Sequence, residues 1–391
     1  GIYVEPNTPW NLDMIHKARR ESVIEPDWNN VAPRFGFAWQ PKSLPKVVFR
    51  GGYGIFFERP SGSFKTDLQL SMPFFIYQNV PAPLDMANPY PRLNVNPFQI
   101  PFNVQIAKNE NGTPSWRKFD GSPFPSTEPF NAKNTTFVDP FIRIPYTQQW
   151  TFNIQFEPAA GSLIDLRYVG SRGVGLQAKL NLAQPLDPRA TPVNGFTDIR
   201  DARGSLINPD FFVKPEFLGI GRNGLRWRSN WGHSTYNALQ VNFRQRPRWG
   251  FAWNLAYTWQ KSIDNISSNE GIIEHDAFNS RLNRGLSDFD RTHRFTASYI
   301  YQFPTPWRDR RAARLILGGW SVAGLATLQS GAPFTPLGNS SRNAYFAQVS
   351  RVRLDFAPGM TLEDAVRSGR VQDRLDNYYN VNAFTDSLDH W

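Results

Sequence analysis

In the stretch 146–156, YTQQWTFNIQF, alternate residues suit different solvents. Tyr146, Trp150, Phe152, Ile154 and Phe156 fall on one side, with Gln148 the one polar exception. Thr147, Gln149, Thr151, Asn153 and Gln155 fall on the other, followed by Glu157. A period of two is the period of a β-strand, so this is a strand with one oily and one wet face. About ten residues suffice to cross a bilayer when the strand is tilted. Residues 158–161 read as a tight turn, after which Ile164, Leu166 and Tyr168 alternate with Asp165 and Arg167. A soluble sandwich also alternates. The rings, however, sit near the strand ends (Tyr146, Phe156, Tyr168), as in the aromatic girdles of membrane barrels.

Composition is compatible with such a wall. Of 391 residues 40% are hydrophobic, and mean hydropathy is −0.48. The sequence holds no run of 18 apolar residues, which excludes a helical membrane span. Low hydropathy does not exclude a barrel, because half of each strand faces a polar lumen. With no cysteine, disulfides and thiolate metal sites are ruled out. The net charge of +10 comes from 43 basic and 33 acidic residues. The arginines are scattered, apart from a cluster at 308–314, so nucleic acid is not an expected partner. The opening residues GIYVEPNTPW lack the basic and apolar regions of a signal peptide, and the chain reads as an internal piece of something longer.

Taken in order, residues 1–32 are the end of a strand (2–4) and a polar loop. Strands follow at 34–40, 46–58, 146–156, 162–169, 237–244, 251–261, 294–303 and 317–330. Gly51, Gly52 and Gly54 in the second strand mark a bend or a close approach. Connections within strand pairs are short: 41–45, 158–161, 245–250 and 304–314. Connections between pairs are long: 59–145, 170–235 and 262–292. Residues 331–391 form a polar tail with a candidate helix at 361–368. Short turns on one side and long loops on the other define an all-β, transmembrane, antiparallel up-and-down barrel of the bacterial outer membrane. The short turns are then periplasmic and the long loops extracellular. Trp150, Phe152, Trp253, Leu255, Tyr299 and Trp320 are expected to face lipid; Gln149, Asn153, Asn254, Thr258 and Thr296 are expected to face the lumen.

Several blocks resemble one family. NVAPRFGFAWQP with KVVFRGGYGIFFERP, PYTQQWTFNIQFE with IDLRYVGSRGVGL, STYNALQVNFRQR with GFAWNLAYTWQKSIDN, SDFDRTHRFTASYIYQFP, and LGGWSVAGLATLQSGAPFT are similar to hairpins of Oar-like TonB-dependent outer-membrane receptors. They occur in that family's order and cover most of residues 29–336. The resemblance implies a barrel of about 22 strands, of which eight are placed here. It also implies an N-terminal plug, a carboxypeptidase-regulatory-like domain, and energy from the inner-membrane TonB complex. Implied partners are outer-membrane lipid and lipopolysaccharide, the TonB complex through a plug absent from this chain, and an unidentified substrate.

Catalytic chemistry finds little support. The five histidines (His16, His233, His275, His293, His390) have no partner at metal-ligand spacing, so no metal and no cofactor is expected. Asp264, Asp276 and His275 lack a nucleophile motif, and GRNG at 221–224 lacks the Lys-Ser/Thr of a phosphate loop. An enzyme is therefore not expected. The best ligand set is Arg222, Arg226, Trp227, Arg228 and Trp231, which joins flat rings to guanidinium donors. That chemistry suits sugars, anionic oligomers or peptides; the alternative is a loop folded on its own tryptophans. Trp116, Arg117 and Lys118 make a weaker version. Asp288, Asp290, Arg291, His293 and Arg294 read as a rim network of mutually paired charges, the alternative being a cation site or part of a lumen relay. Three functions remain: a receptor-transporter barrel, a structural or adhesive surface protein, and a soluble polysaccharide-binding module.

Overall fold

The computed structural model describes residues 26–58, 104–108, 114–118, 135–139, 141–182, 184, 186, 192–195, 225–267, 280–304, 311–339, 351–374 and 378–386. Its strands are β1 (Arg34–Trp39), β2 (Val47–Phe57), β3 (Val104–Lys108), β4 (Pro114–Lys118), β5 (Thr135–Val138), β6 (Tyr146–Phe156), β7 (Ser162–Asn181), β8 (Leu225–Arg248), β9 (Phe251–Asp264), β10 (Gly285–Leu286), β11 (His293–Gln302), β12 (Ser321–Gln329), β13 (Leu337–Asn339), β14 (Arg351–Phe356) and β15 (Phe384–Asp386). Eight of them form one sheet in the order β1-β2-β6-β7-β8-β9-β11-β12, each neighbour antiparallel to the next. β10 extends the ladder of β9, and β5 lies parallel to β8. Among the described residues β1 and β12 each have an unpaired outer edge.

The register sorts the side chains. One row of paired residues runs Trp39, Phe49, Ile154, Leu166, Val241, Tyr257, Phe295, Leu328 across all eight strands. The adjacent row runs Ala38, Arg50, Asn153, Arg167, Gln240, Thr258, Arg294, Gln329. Successive residues point to opposite faces, so the first row lies on an apolar face and the second on a polar one. A one-residue slip in any strand would exchange them, which is why the alternation specifies the register so strongly.

Nothing described packs against the apolar face. Among the described residues the fully buried apolar side chains are only Val138, Ile142, Ala178, Leu180, Val193, Ala238, Ala365 and Ala383. Phe35, Trp39, Trp259 and Leu328 meanwhile stay 55–68% exposed. An apolar face that no described residue covers is unsuited to water, where such an area would drive association. Hydrocarbon is the solvent that suits it, and a sheet whose backbone bonds run between strands can enter lipid once its edges are paired in a barrel. Phe251 and Trp259 bracket the apolar band of β9 with Leu255 midway. Eight residues at about 3.3 Å each, tilted about 40°, span roughly 20 Å, close to the apolar belt of an outer-membrane barrel.

Rings cover glycines on this face. A Cβ on Gly170 would fall 2.2 Å from the Trp150 indole, and one on Gly324 would fall 2.6 Å from the Tyr299 ring. On Gly51 it would meet Phe37 at 2.3 Å. Of the glycines flagged in β2, Gly51 therefore marks a close approach by a cross-strand ring, whereas on the opposite face a Cβ at Gly52 would meet the Phe35 carbonyl at 3.3 Å and one at Gly54 the Phe56 ring of the same strand at 2.9 Å.

Some sequence boundaries shift. β7 runs on to Asn181 and β8 starts at Leu225, so twelve residues of the expected loop after β7 and eleven before β8 are strand. Residues 311–317 form a helix, α1 (Arg311–Leu317), so the last strand of the wall begins at Ser321 instead of residue 317. RAARLIL is rich in strong helix formers, and Gly319, at φ +80°, ends the turn. Trp320, expected on a strand, instead precedes β12 and donates its indole N–H to the Ile316 carbonyl at 2.9 Å. The expected strand end at 2–4 lies outside the described residues.

The tail is folded. β13, β14 and β15 make a small antiparallel sheet. Two one-turn helices, α2 (Leu362–Ala365) and α3 (Val371–Arg374), stand where a helix at 361–368 was expected or just beyond it. Asp364 accepts from both the N–H and the hydroxyl of Thr361, at 2.8 and 2.7 Å, which holds its carboxyl below the usual range. Phe334 stacks on Tyr379 at 4.8 Å.

Candidate functional site

Above the membrane band β7 and β8 change character. Ala178, Lys179, Leu180 and Asn181 are all buried, on both faces of the strand. Two register shifts separate this upper part from the wall, one beside Gly175 at φ +63°. They are β-bulges, which re-aim a strand without ending it. β5 closes the other side of β8, with Thr136 opposite Arg226 and Val138 opposite Arg228.

Three short polar side chains fasten this platform. Asn230 accepts from the Arg143 N–H at 2.6 Å, and donates to the Arg143 and Gly175 carbonyls at 2.9 and 2.5 Å. Asp139 accepts from the Ser229 hydroxyl at 2.6 Å and from the Phe141 N–H at 2.9 Å. Asp27, leading into β1, accepts from the Ile144 N–H at 3.1 Å and from Arg143 Nη1 at 3.0 Å. The Ile144 N–H, helped by the Arg143 guanidinium, holds the Asp27 carboxyl below its usual range. Sequence reasoning passed over all three, because nothing near them in sequence signals partners 87 to 117 residues away.

The proposed ligand set falls within this platform. Arg222 lies outside the described residues. Arg226, Trp227, Arg228 and Trp231 belong to β8, a paired strand, where a loop was expected. Arg228 is fully buried, Arg226 and Trp227 are half-buried, and Trp231 is exposed next to the bulge. Neighbouring residues face opposite ways, so Trp227 and Arg228 point to different sides. The structure does not bring these residues together into one open surface. Trp116, Arg117 and Lys118 lie in β4 of a separate hairpin with β3.

The rim set is held mainly through the backbone. Asp290 is buried; it accepts from the Ser262 N–H at 2.7 Å and the Thr292 hydroxyl at 3.0 Å. Arg291 donates to the Asp288 and Asp290 carbonyls. The Asp288 N–H donates to the Ser267 hydroxyl, which in turn donates to Asp264. His293 Nδ1 pairs with the Tyr257 hydroxyl at 2.8 Å on the outer face, whereas Arg294 lies in the polar row. None of the five pairs its charge with another of the five, in contrast to the expected mutual pairing. Short polar side chains latching main-chain groups re-aim the chain from β10 to β11 at the mouth.

The inner wall is lined with donors. Asp165 accepts from Asn153 Nδ2 at 2.5 Å and Gln155 Nε2 at 2.9 Å, and Arg167 sits 3.4 Å away. Arg50, Arg244 and Arg294 share that face. Guanidinium and amide groups bind carboxylates, phosphates and hydroxyl-rich solutes, and they offer no nucleophile with an adjacent base. Among the described residues no group of three His, Asp or Glu converges on a common point.

A search of curated proteins finds no match. Among solved structures, the outer membrane transporter YddB from Escherichia coli is similar at 11% identity and a TM-score of 0.41, over 83% of this chain. The chain spans 33% of the length of that structure. Residues 5–389 match the outer membrane beta barrel domain family, so the chain belongs to that family and resides in the bacterial outer membrane.

Proposed function

We propose that the chain is part of the barrel of a TonB-dependent receptor, which binds a large or scarce substrate outside the cell and imports it with inner-membrane energy. The substrate class is a saccharide, a peptide or a chelate. One observation carries this reading: eight strands pass side by side with both outer edges unpaired among the described residues. Eight strands that formed a complete barrel would pair β1 with β12. Open edges cannot face lipid, and in this reading further strands pair with them, which gives a wall of more strands and a wider lumen. A wide lumen with a donor-rich inner face suits passage of a bulky polar solute. The sequence blocks similar to Oar-like receptors point the same way.

The barrel itself does no chemistry in this reading. Binding falls to the extracellular platform, and a plug domain elsewhere in the protein gates the lumen and contacts the TonB complex. The test is uptake of labelled saccharide, peptide and chelate pools by cells with and without the intact protein, before and after an uncoupler. The expected result is protein-dependent uptake of one class that stops when the proton gradient collapses. Uptake that survives the uncoupler contradicts the TonB-driven reading, and no protein-dependent uptake returns the choice to an adhesive surface barrel.

A further inference from the structure

One row of the inner face holds three guanidinium groups. It runs from Arg50 through Asn153, Arg167, Gln240 and Thr258 to Arg294, one residue from each of six neighbouring strands. All three arginines are exposed. Residues paired across a sheet lie on a line perpendicular to the strands. With strands about 4.8 Å apart and tilted about 40°, that line rises about 3 Å at each step round a barrel. Between Arg50 and Arg294 the row therefore climbs about 15 Å along the lumen wall. A row in the flat sheet is a ramp in the barrel.

The ramp alternates two kinds of partner. Asn153 separates Arg50 from Arg167, and Gln240 and Thr258 separate Arg167 from Arg294. A guanidinium holds an oxyanion in a flat fork, whereas amides and hydroxyls both donate and accept hydrogen bonds. One row nearer the outside, Gly36, Gly52, Thr151 and Val169 are paired across β1, β2, β6 and β7. Their small side chains leave a shelf beside Arg50 and Arg167. One row nearer the periplasm, Asp165 accepts from the Asn153 and Gln155 amides and meets Arg167 at 3.4 Å. Arg167 gives it a single contact and keeps its other N–H donors for the lumen.

We propose that this ramp conducts an acidic oligosaccharide, a chain whose sugar rings carry carboxylate or sulfate groups. The acid groups meet the three arginines in turn, and the ring hydroxyls meet the amide and hydroxyl groups between them. Guanidiniums along a confined wall raise the local concentration of an anionic solute. Exposed ion contacts are individually weak, so the chain leaves each arginine for the next instead of lodging. The proposal rests on the transport reading and narrows its substrate class.

The test is uptake by cells carrying the intact protein, with fluorescent oligogalacturonate, its neutral methyl ester, a sulfated dextran oligomer and oligoglutamate as probes. Oligogalacturonate or the sulfated oligomer should enter, the better of the two naming the acid group. The methyl ester should enter about tenfold more slowly. Arg50→Gln combined with Arg294→Gln should raise the KM for the acidic sugar about tenfold. Arg50→Lys with Arg294→Lys keeps the charge and should recover most of that loss. Equal entry of the methyl ester, or an unchanged KM in the glutamine pair, overturns the proposal. Oligoglutamate that competes as well as the acidic sugar overturns the saccharide assignment. No protein-dependent uptake of any probe contradicts the transport reading instead. Calorimetry on the purified protein then decides the ramp: binding of oligogalacturonate that the glutamine pair weakens supports it, and absent or unchanged binding sinks it. Heat-modifiable migration in gels confirms that each variant is folded.

Discussion

β7 and β8 are each one continuous strand, yet their lower and upper halves obey different rules. Below, Ile164, Leu166 and Tyr168 face out across from Phe243, Val241 and Leu239, while Asp165 and Arg167 face in. Above, Ala178 to Asn181 are covered on both sides and Asn230 ties three main-chain groups together. The lower half takes its stability from the solvent on one face, and the upper half from specific polar contacts. The contrast shows that a strand does not end where its alternation ends; it ends where its pairing does.

The largest effect should come from charging the lower half. Leu255 sits midway between the ring belts on β9, and Leu255→Arg should cost about 2–4 kcal/mol of folding stability in lipid. Asn254→Arg, one residue away and facing the lumen, should cost under about 0.5 kcal/mol. Denaturant titration in vesicles measures both; equal costs would erase the distinction between the faces.

The upper half should respond to loss of one amide. Asn230→Ala leaves the Arg143 N–H and two carbonyls without their partner and should cost about 1–3 kcal/mol locally. Hydrogen exchange should speed up around residues 139–145 and 225–231, with β9 and β11 unchanged. Uniform acceleration through the wall would mean that the two halves are one cooperative unit.

The comparison also explains what the sequence disclosed. Where one face meets lipid, alternation locates strands almost to the residue, as for β6, β9 and β11. Residues 178–181 show no alternation because both faces are covered by protein, and the register shifts between Gly173 and Ala178 break the pattern before them, so that half read as loop. Arg228 looked like a free guanidinium because its burial comes from pairing with β5, 90 residues earlier. The rim residues Asp288–Arg294 were visible as a charged cluster. Their main-chain partners were not, since Ser262 and Ser330 carry no charge to advertise them. The helix at residues 311–317 was missed because its apolar end, LIL, adjoined a real strand.

A smaller effect is expected at the opposite end of β8. Trp249 and Gly250 form a two-residue turn with φ of 52° and 80°, and a Cβ on Gly250 would lie 2.5 Å from the Gln302 carbonyl. Gly250→Ala should cost about 1–2 kcal/mol. The loss should appear in the denaturation midpoint of the wall and leave the exchange of residues 225–231 untouched.

The smallest effect is the pH response of Asp27. Its carboxyl is held below the ordinary 3.8, so its contribution is complete above that value and fades as pH falls through the lowered pKa. Proteolytic nicking of residues 139–145 should therefore rise below about pH 4 in the native protein and show no such rise in Asp27→Asn. Cleavage that rises equally in both would place the acid sensitivity elsewhere.

The account depends most on which face meets lipid. The chain has no cysteine, so single nitroxide labels at Phe152, Leu255, Asn153 and Asn254 need no background removal. In reconstituted bilayers, labels at Phe152 and Leu255 should relax with dissolved oxygen and be shielded from a water-soluble nickel chelate, and labels at Asn153 and Asn254 should do the opposite. Chelate access at Phe152 and Leu255, with oxygen access at the two asparagines, would contradict the account.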